Sequence, residues 1–238
     1  MNRLYLTAVL FCGLAGIATA LPAQAQATRH FNHADQRWES SDRTSRATRT
    51  MPKPDARFAR TSVSLTTREK PGTIIIDTDR KFLYHVHGNN SATRYGVGVG
   101  KEGFSWGGAM QVGRKAEWPG WTPPARMRER ERAKGRILPA YMKGGPDNPL
   151  GARALYLYRG GKDSLFRIHG TNQPWTIGQN MSSGCIRMLN EDVIHLYGSV
   201  TPGTKVVVIG PGGAGRDAVY TETGRSRTAG GLGQIFGG

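Results

Sequence analysis

The chain has 238 residues and a formal net charge of +16, long enough for one sizeable domain with appendages. That charge favours polyanionic partners without choosing among them. Cysteine occurs only at Cys12 and Cys185, so loss of a leader containing Cys12 would leave one thiol and exclude an internal disulfide.

Residues 1–25 have the layout of a cleaved secretory signal. Arg3 is the only charge, an apolar run covers Leu4 to Leu21, and small-x-small sites follow at Ala23-Gln24-Ala25 and Ala25-Gln26-Ala27. An uncleaved anchor needs about 20 apolar residues, and Gly13 and Gly16 interrupt this run. The expectation is export with no integral membrane segment after cleavage. An exported polycation meets cell-envelope polymers and anionic lipid, so nucleic acid is not an expected partner. Cys185, then the lone thiol, reads as either a reactive group or a small buried hydrophobe.

Residues 26–70 read as a basic flexible spacer, with Arg29, Arg37, Arg43, Arg46 and Arg49 scattered among polar residues and no apolar periodicity. From Gly72 folding signals appear. Thr73 to Ile76 is β-branched, Asp77-Thr78-Asp79-Arg80 is turn chemistry, and Phe82 to His87 alternates, which predicts a hairpin. His85 and His87 share a face of that strand, but no third ligand supports a metal.

Gly98-x-Gly100-x-x-Gly103 matches a dinucleotide fingerprint by letter, yet the residues after it cannot open the helix that would hold a phosphate. Glycine alternating with valine fits a tightly packed strand better. Trp106, Trp118 and Trp121 sit in a Pro/Gly-rich stretch and suggest either a small core or a cleft lining. Ala125 to Lys134 reads as a charged surface helix with Pro124 in its first turn. Ala152 to Tyr158 and Leu165 to His169 read as strands. Asn190 is a candidate helix N-cap with Glu191 and Asp192 behind it, and Lys205 to Ile209 reads as a buried strand. Residues 211–238 read as a Gly-rich mobile tail. The domain over 71–210 is expected to be mainly β, with one or two short helices.

The stretch from Phe166 to Asn190 carries the chemistry. A cysteine attacks a carbonyl as thiolate and needs a base or another feature that lowers its pKa. His169 ends a strand beside Gly170, whose carbonyl can orient the imidazole and fix its tautomer. Ser182-Ser183-Gly184-Cys185 surrounds the thiol with small residues whose backbone N–H groups can converge on an oxyanion. Arg187 is placed to hold a substrate carboxylate by a bidentate pair.

Ile168-His169-Gly170-Thr171, Ile177-Gly178, Ser182 to Met188 and Asn190 closely resemble the catalytic motif of L,D-transpeptidases, the YkuD-type domain of bacterial cell walls. Tyr95 to Gly100, Gly113 to Trp118, Trp121 to Pro124 and Pro146 to Gly151 are similar to the Gram-negative branch. The resemblance implies a β-rich catalytic domain in the periplasm, with Cys185 as nucleophile, His169 as general base and Gly170 orienting it. Ser183, Gly184 and Cys185 are the implied oxyanion donors, and Arg187 fits the Gram-negative variants.

The implied substrate is a peptidoglycan tetrapeptide stem. It would lose its terminal D-alanine to an acyl-enzyme and pass to an amine in a 3→3 cross-link, without cofactor or metal. An outer-membrane protein is a further candidate acceptor. Water as acceptor would make a carboxypeptidase or hydrolase, and loss of catalysis a wall-binding protein. Ser183 departs from the pattern, since many members carry His there; this leaves His169 as the one plausible base in the stretch.

Overall fold

The computed structural model describes residues 29–32, 37–40, 52–101 and 106–225. The expected signal segment and residues 226–238 of the expected tail lie outside these. The strands in chain order are β1 (Arg29–Asn32), β2 (Arg37–Ser40), β3 (Thr61–Thr67), β4 (Ile74–Asp77), β5 (Phe82–Gly88), β6 (Ser91–Gly96), β7 (Val99–Gly100) and β8 (Gly108–Glu117). Helix α1 (Ala125–Arg132) follows, then β9 (Arg153–Arg159), β10 (Lys162–His169), β11 (Asn180–Ser182) and β12 (Ile186–Arg187). Helix α2 (Asn190–Ser199), β13 (Lys205–Ile209), α3 (Arg216–Val219) and β14 (Tyr220–Arg225) complete the order. Among the described residues the fold is mainly β with three α-helices.

One ten-stranded sheet runs β12-β10-β9-β8-β13-β4-β5-β6-β3-β14, while β11 pairs with β7 and β1 with β2. Successive strand residues point to opposite faces, and the burial follows that rule. Ile74, Ile76 and Leu83 join one core cluster with Leu155, Ile168, Ile186, Val206 and Val208, whereas Ile75, Tyr84 and Val86 join a second with Val63, Leu65 and Tyr220. Helix α2 covers the first face through Val193 and Leu196. Its last turn has no basic residue of its own. Lys115 from β8 supplies the cation, donating to the carbonyls of Tyr197 and Val200 at 2.6 Å each.

The hairpin of β4 and β5, the charged helix α1 and the buried strand β13 form where the sequence indicates. The ten-stranded sheet takes in strands on both sides of residues 71–210. Strand β3 lies in the expected spacer and pairs with β6, and β14 lies in the expected tail and pairs with β3. Residues 29–32 and 37–40, also in that spacer, form an antiparallel pair. Val63 and Leu65 are the two buried apolar positions of β3, too few to register as alternation among hydroxyl residues. In β14 only Tyr220 is apolar.

Asp77 fastens the C-terminal segment to the sheet. Its Oδ1 accepts the N–H groups of Asp79 and Arg80 at 3.1 and 2.9 Å, as the turn chemistry suggests. Its Oδ2 accepts from Arg216 Nε at 2.5 Å and from the Tyr220 hydroxyl at 2.8 Å. Burial works against the carboxylate charge, but Arg216, the Arg80 N–H and Tyr220 outweigh it and hold its pKa below the ordinary value. Breaking a buried pair leaves an uncompensated charge, so Arg216→Met should destabilise the domain by about 3 kcal/mol, read from urea unfolding at pH 7. The native carboxyl's depressed pKa makes this contribution present above the ordinary Asp value of about 3.9 and lost as pH falls through the native one. The gap between variant and wild type should therefore narrow in acid.

Candidate active site

Strands β10 and β12 pair in parallel, with Ile168 opposite Ile186 and His169 opposite Arg187. Both isoleucines are buried in the core. Alternation then turns His169 and Arg187 toward the other face, and Cys185 directly precedes β12. On the far side of β12, Gly98 exchanges both backbone hydrogen bonds with Arg187, at 2.9 and 2.8 Å. A Cβ on Gly98 would stand 2.5 Å from the Thr176 carbonyl oxygen. The glycine that resembles part of a nucleotide fingerprint is thus required by close packing beside the site.

His169 is 4% exposed. Its Nδ1 lies 2.6 Å from the Gly170 carbonyl, so Nδ1–H donates there and the Nε2 lone pair is left to take a proton. Burial depresses its pKa to about 3; Arg187 and Arg167 add to the effect, and the carbonyls of Gly170 and Leu150 oppose it only in part. A Cβ on Gly170 would meet the Asn190 side-chain oxygen at 2.2 Å. That oxygen accepts the Ala152 N–H at 2.9 Å. Asn190 is consequently the first residue of α2 and not its cap, which is Leu189 without a side-chain bond: the buried N–H of Ala152 takes the oxygen that a cap would offer.

The loop between β11 and β12 holds the thiol. Ser182 donates to the Cys185 carbonyl at 2.5 Å and accepts the Gly184 N–H at 3.1 Å. Gly184 was an expected oxyanion donor; its N–H donates to Ser182 Oγ, and the chain turns after it with a φ of +109°. The Gly184 carbonyl accepts from Trp106 Nε1 at 2.8 Å, and the indole stacks on Phe166 with centroids 4.6 Å apart.

Ser183 Oγ accepts from Arg130 of α1 at 3.0 Å, bringing the charged helix to the site. Arg187 Nη1 donates to Gln173 Oε1 at 3.2 Å, while its buried Nε has no protein partner. Burial raises the half-buried Cys185 thiol above its ordinary pKa; the Arg167 N–H and the charges of Arg167 and Arg187 oppose this without reversing it.

His169, Gly170, Ser183, Gly184, Cys185 and Arg187 are therefore all on β10, β12 or the segments next to them. Trp106, Arg130, Gln173 and the Ser182 hydroxyl complete the surroundings. Trp106 and Arg130 have no local signature: Trp106 is 78 residues from its acceptor and Arg130 53 from its own. Among the described residues no group of three or more His, Cys, Asp or Glu side chains is arranged to hold a metal. His85 and His87 meet edge to face at 4.9 Å.

An imidazole with a fixed tautomer ends β10, and a free thiol directly precedes β12, the strand paired with it. The family model for the L,D-transpeptidase catalytic domain matches residues 71–208, more than half of the chain, and the chain belongs to that family. The probable L,D-transpeptidases YbiS and YcfS of Escherichia coli K12 are 39% identical over 142 residues and 38% over 143, covering 58% and 59% of this chain and 44% of each relative. The chain thus matches less than half the length of these curated relatives.

A solved Brucella melitensis structure titled as a probable carnitine operon oxidoreductase is 50% identical, over 65% of this chain and 95% of that one, with a TM-score of 0.43. A solved L,D-transpeptidase from Mycobacterium smegmatis is 20% identical over 57% of each chain, with a TM-score of 0.40. Gly100 lies in β7, paired with β11, and Gly98 is packed against Thr176.

Because burial lowers the histidine pKa and raises the thiol pKa, the resting pair is neutral from pH 5 to 8. Iodoacetamide alkylation of Cys185 should keep rising above the ordinary thiol value of about 8.5. A plateau reached near pH 6.5 would indicate a preformed thiolate–imidazolium pair instead.

Proposed function

We propose that this protein is an exported peptidoglycan L,D-transpeptidase that works through a Cys185 acyl-enzyme. The observation that carries the reading is the bond from His169 Nδ1 to the Gly170 carbonyl, which leaves Nε2 as base on the strand paired with that of the thiol. Family membership supports the substrate class, a tetrapeptide stem.

In the first half-reaction the Cys185 proton passes to His169 Nε2 as sulfur attacks the carbonyl of the third stem residue, at an L-centre. The oxyanion is received by the backbone N–H groups of Cys185 and Ser183. Collapse breaks the amide, His169 returns the proton to the departing D-alanine amine, and a thioester remains. In the second, a side-chain amine of another stem loses a proton to His169 as it attacks the thioester. The sulfur leaves and takes that proton back, giving a 3→3 cross-link.

The neutral resting pair fits this sequence, because charge develops only as the substrate excludes water. The unpartnered Nε of Arg187 supports a role in holding a stem carboxylate. The +16 charge fits work on an anionic envelope polymer, and the expected signal segment fits the periplasm. No helix among the described residues is long and apolar enough to cross a membrane.

The test is mass spectrometry of the protein with a disaccharide-tetrapeptide. A thioester on Cys185 lighter by one D-alanine than the full adduct, followed by a cross-linked dimer, is the expected outcome. D-alanine release without dimer would assign a hydrolase, and dimer only with an added outer-membrane protein would assign that acceptor. Cys185→Ala should abolish the adduct with the fold intact, and His169→Ala should slow acylation by about 100-fold or more; a near-normal rate in the second variant would refute the base. Slow alkylation at neutral pH does not by itself indicate a non-catalytic wall-binding protein, given the raised thiol pKa.

A further inference from the structure

We propose that Trp106 is a positioning residue for the oxyanion site, acting through the Gly184–Cys185 peptide bond; the inference rests on the acyl-transfer reading above. The peptide unit is planar and trans, so its carbonyl and N–H point in opposite directions. Whatever fixes the Gly184 carbonyl therefore fixes the Cys185 N–H.

Two observations show how that carbonyl is held. Trp106 Nε1 donates to it at 2.8 Å, and the indole is itself held by a stack on Phe166, at 4.6 Å and 20° between planes. Phe166 lies on β10, three residues before His169, so one strand carries both the base and the platform for the indole. Gly184 needs such an anchor. Its positive φ and missing side chain make the peptide after it easy to rotate, and with the Gly184 N–H taken by Ser182 the Cys185 N–H becomes the principal donor of the loop. Donation into the carbonyl also polarises the peptide and makes its N–H a better donor.

Trp118 provides an internal contrast. It is 45% exposed, whereas the half-buried Trp106 spends its N–H on the loop that carries the thiol.

The experiment compares wild type, Trp106→Phe and a protein with benzothienylalanine at position 106, which keeps the bicyclic stack but replaces N–H by sulfur. Acylation by the disaccharide-tetrapeptide and alkylation by iodoacetamide at pH 9 are measured on each. Alkylation needs the thiolate but no oxyanion donor. The maximal acylation rate should fall about 10-fold or more in both variants, short of the 100-fold or greater loss of a donor removed outright. The half-saturating stem concentration should change little and alkylation should stay within about 2-fold. Acylation within about 2-fold of wild type in the benzothienyl protein would overturn the proposal. So would acylation and alkylation falling by the same factor, which would mark general disorder of the loop. Failure of the wild type to acylate would instead sink the acyl-transfer reading, a result separable from either.

Discussion

The parallel pairing of β10 with β12 aligns two different requirements on one pair of strands. Ile168 and Ile186 are opposite each other and buried, and this fixes the register. A slip of β12 by one residue would turn Ile186 out of the core and Arg187 into it. The free energy that holds the site's geometry is thus the burial of two side chains that take no part in its chemistry. Gly98 extends the arrangement across β12, and the Thr176 carbonyl above it leaves no room for a side chain.

Electrostatics then separate structural charge from reactive charge. Asp77 is buried but surrounded by donors, so it stays ionised and ties α3 and β14 to the sheet. His169 and Cys185 are disfavoured as ions, with two arginines near the imidazole and too little to stabilise a resting thiolate. The same cost of burying charge leaves a fixed carboxylate where four donors converge and disfavours the ions of His169 and Cys185 where they do not.

Several parts of this arrangement were legible in order along the chain. The β4–β5 hairpin, helix α1 and strand β13 carry their own apolar runs, turn residues or helix-compatible composition, and these local preferences agree with the fold. The bond from His169 to the Gly170 carbonyl involves adjacent residues, which is why the sequence could anticipate it. Strands β3 and β14 could not be read this way. Val63, Leu65 and Tyr220 acquire their meaning only from the second core cluster on the far face of the sheet. Asn190 has the residue type of a helix cap, but the Ala152 N–H, 38 residues away, takes its oxygen.

By itself the sequence determined which residues could carry the proposed chemistry: the residue types between His169 and Arg187, their order and the backbone freedom at Gly170 and Gly184 are local properties. Only the tertiary structure decided how that chemistry is aimed. It set Trp106 against the Gly184 carbonyl and brought Arg130 to Ser183. These bonds join residues far apart in the chain and satisfy polar groups whose surroundings arise only when the sheet closes around them.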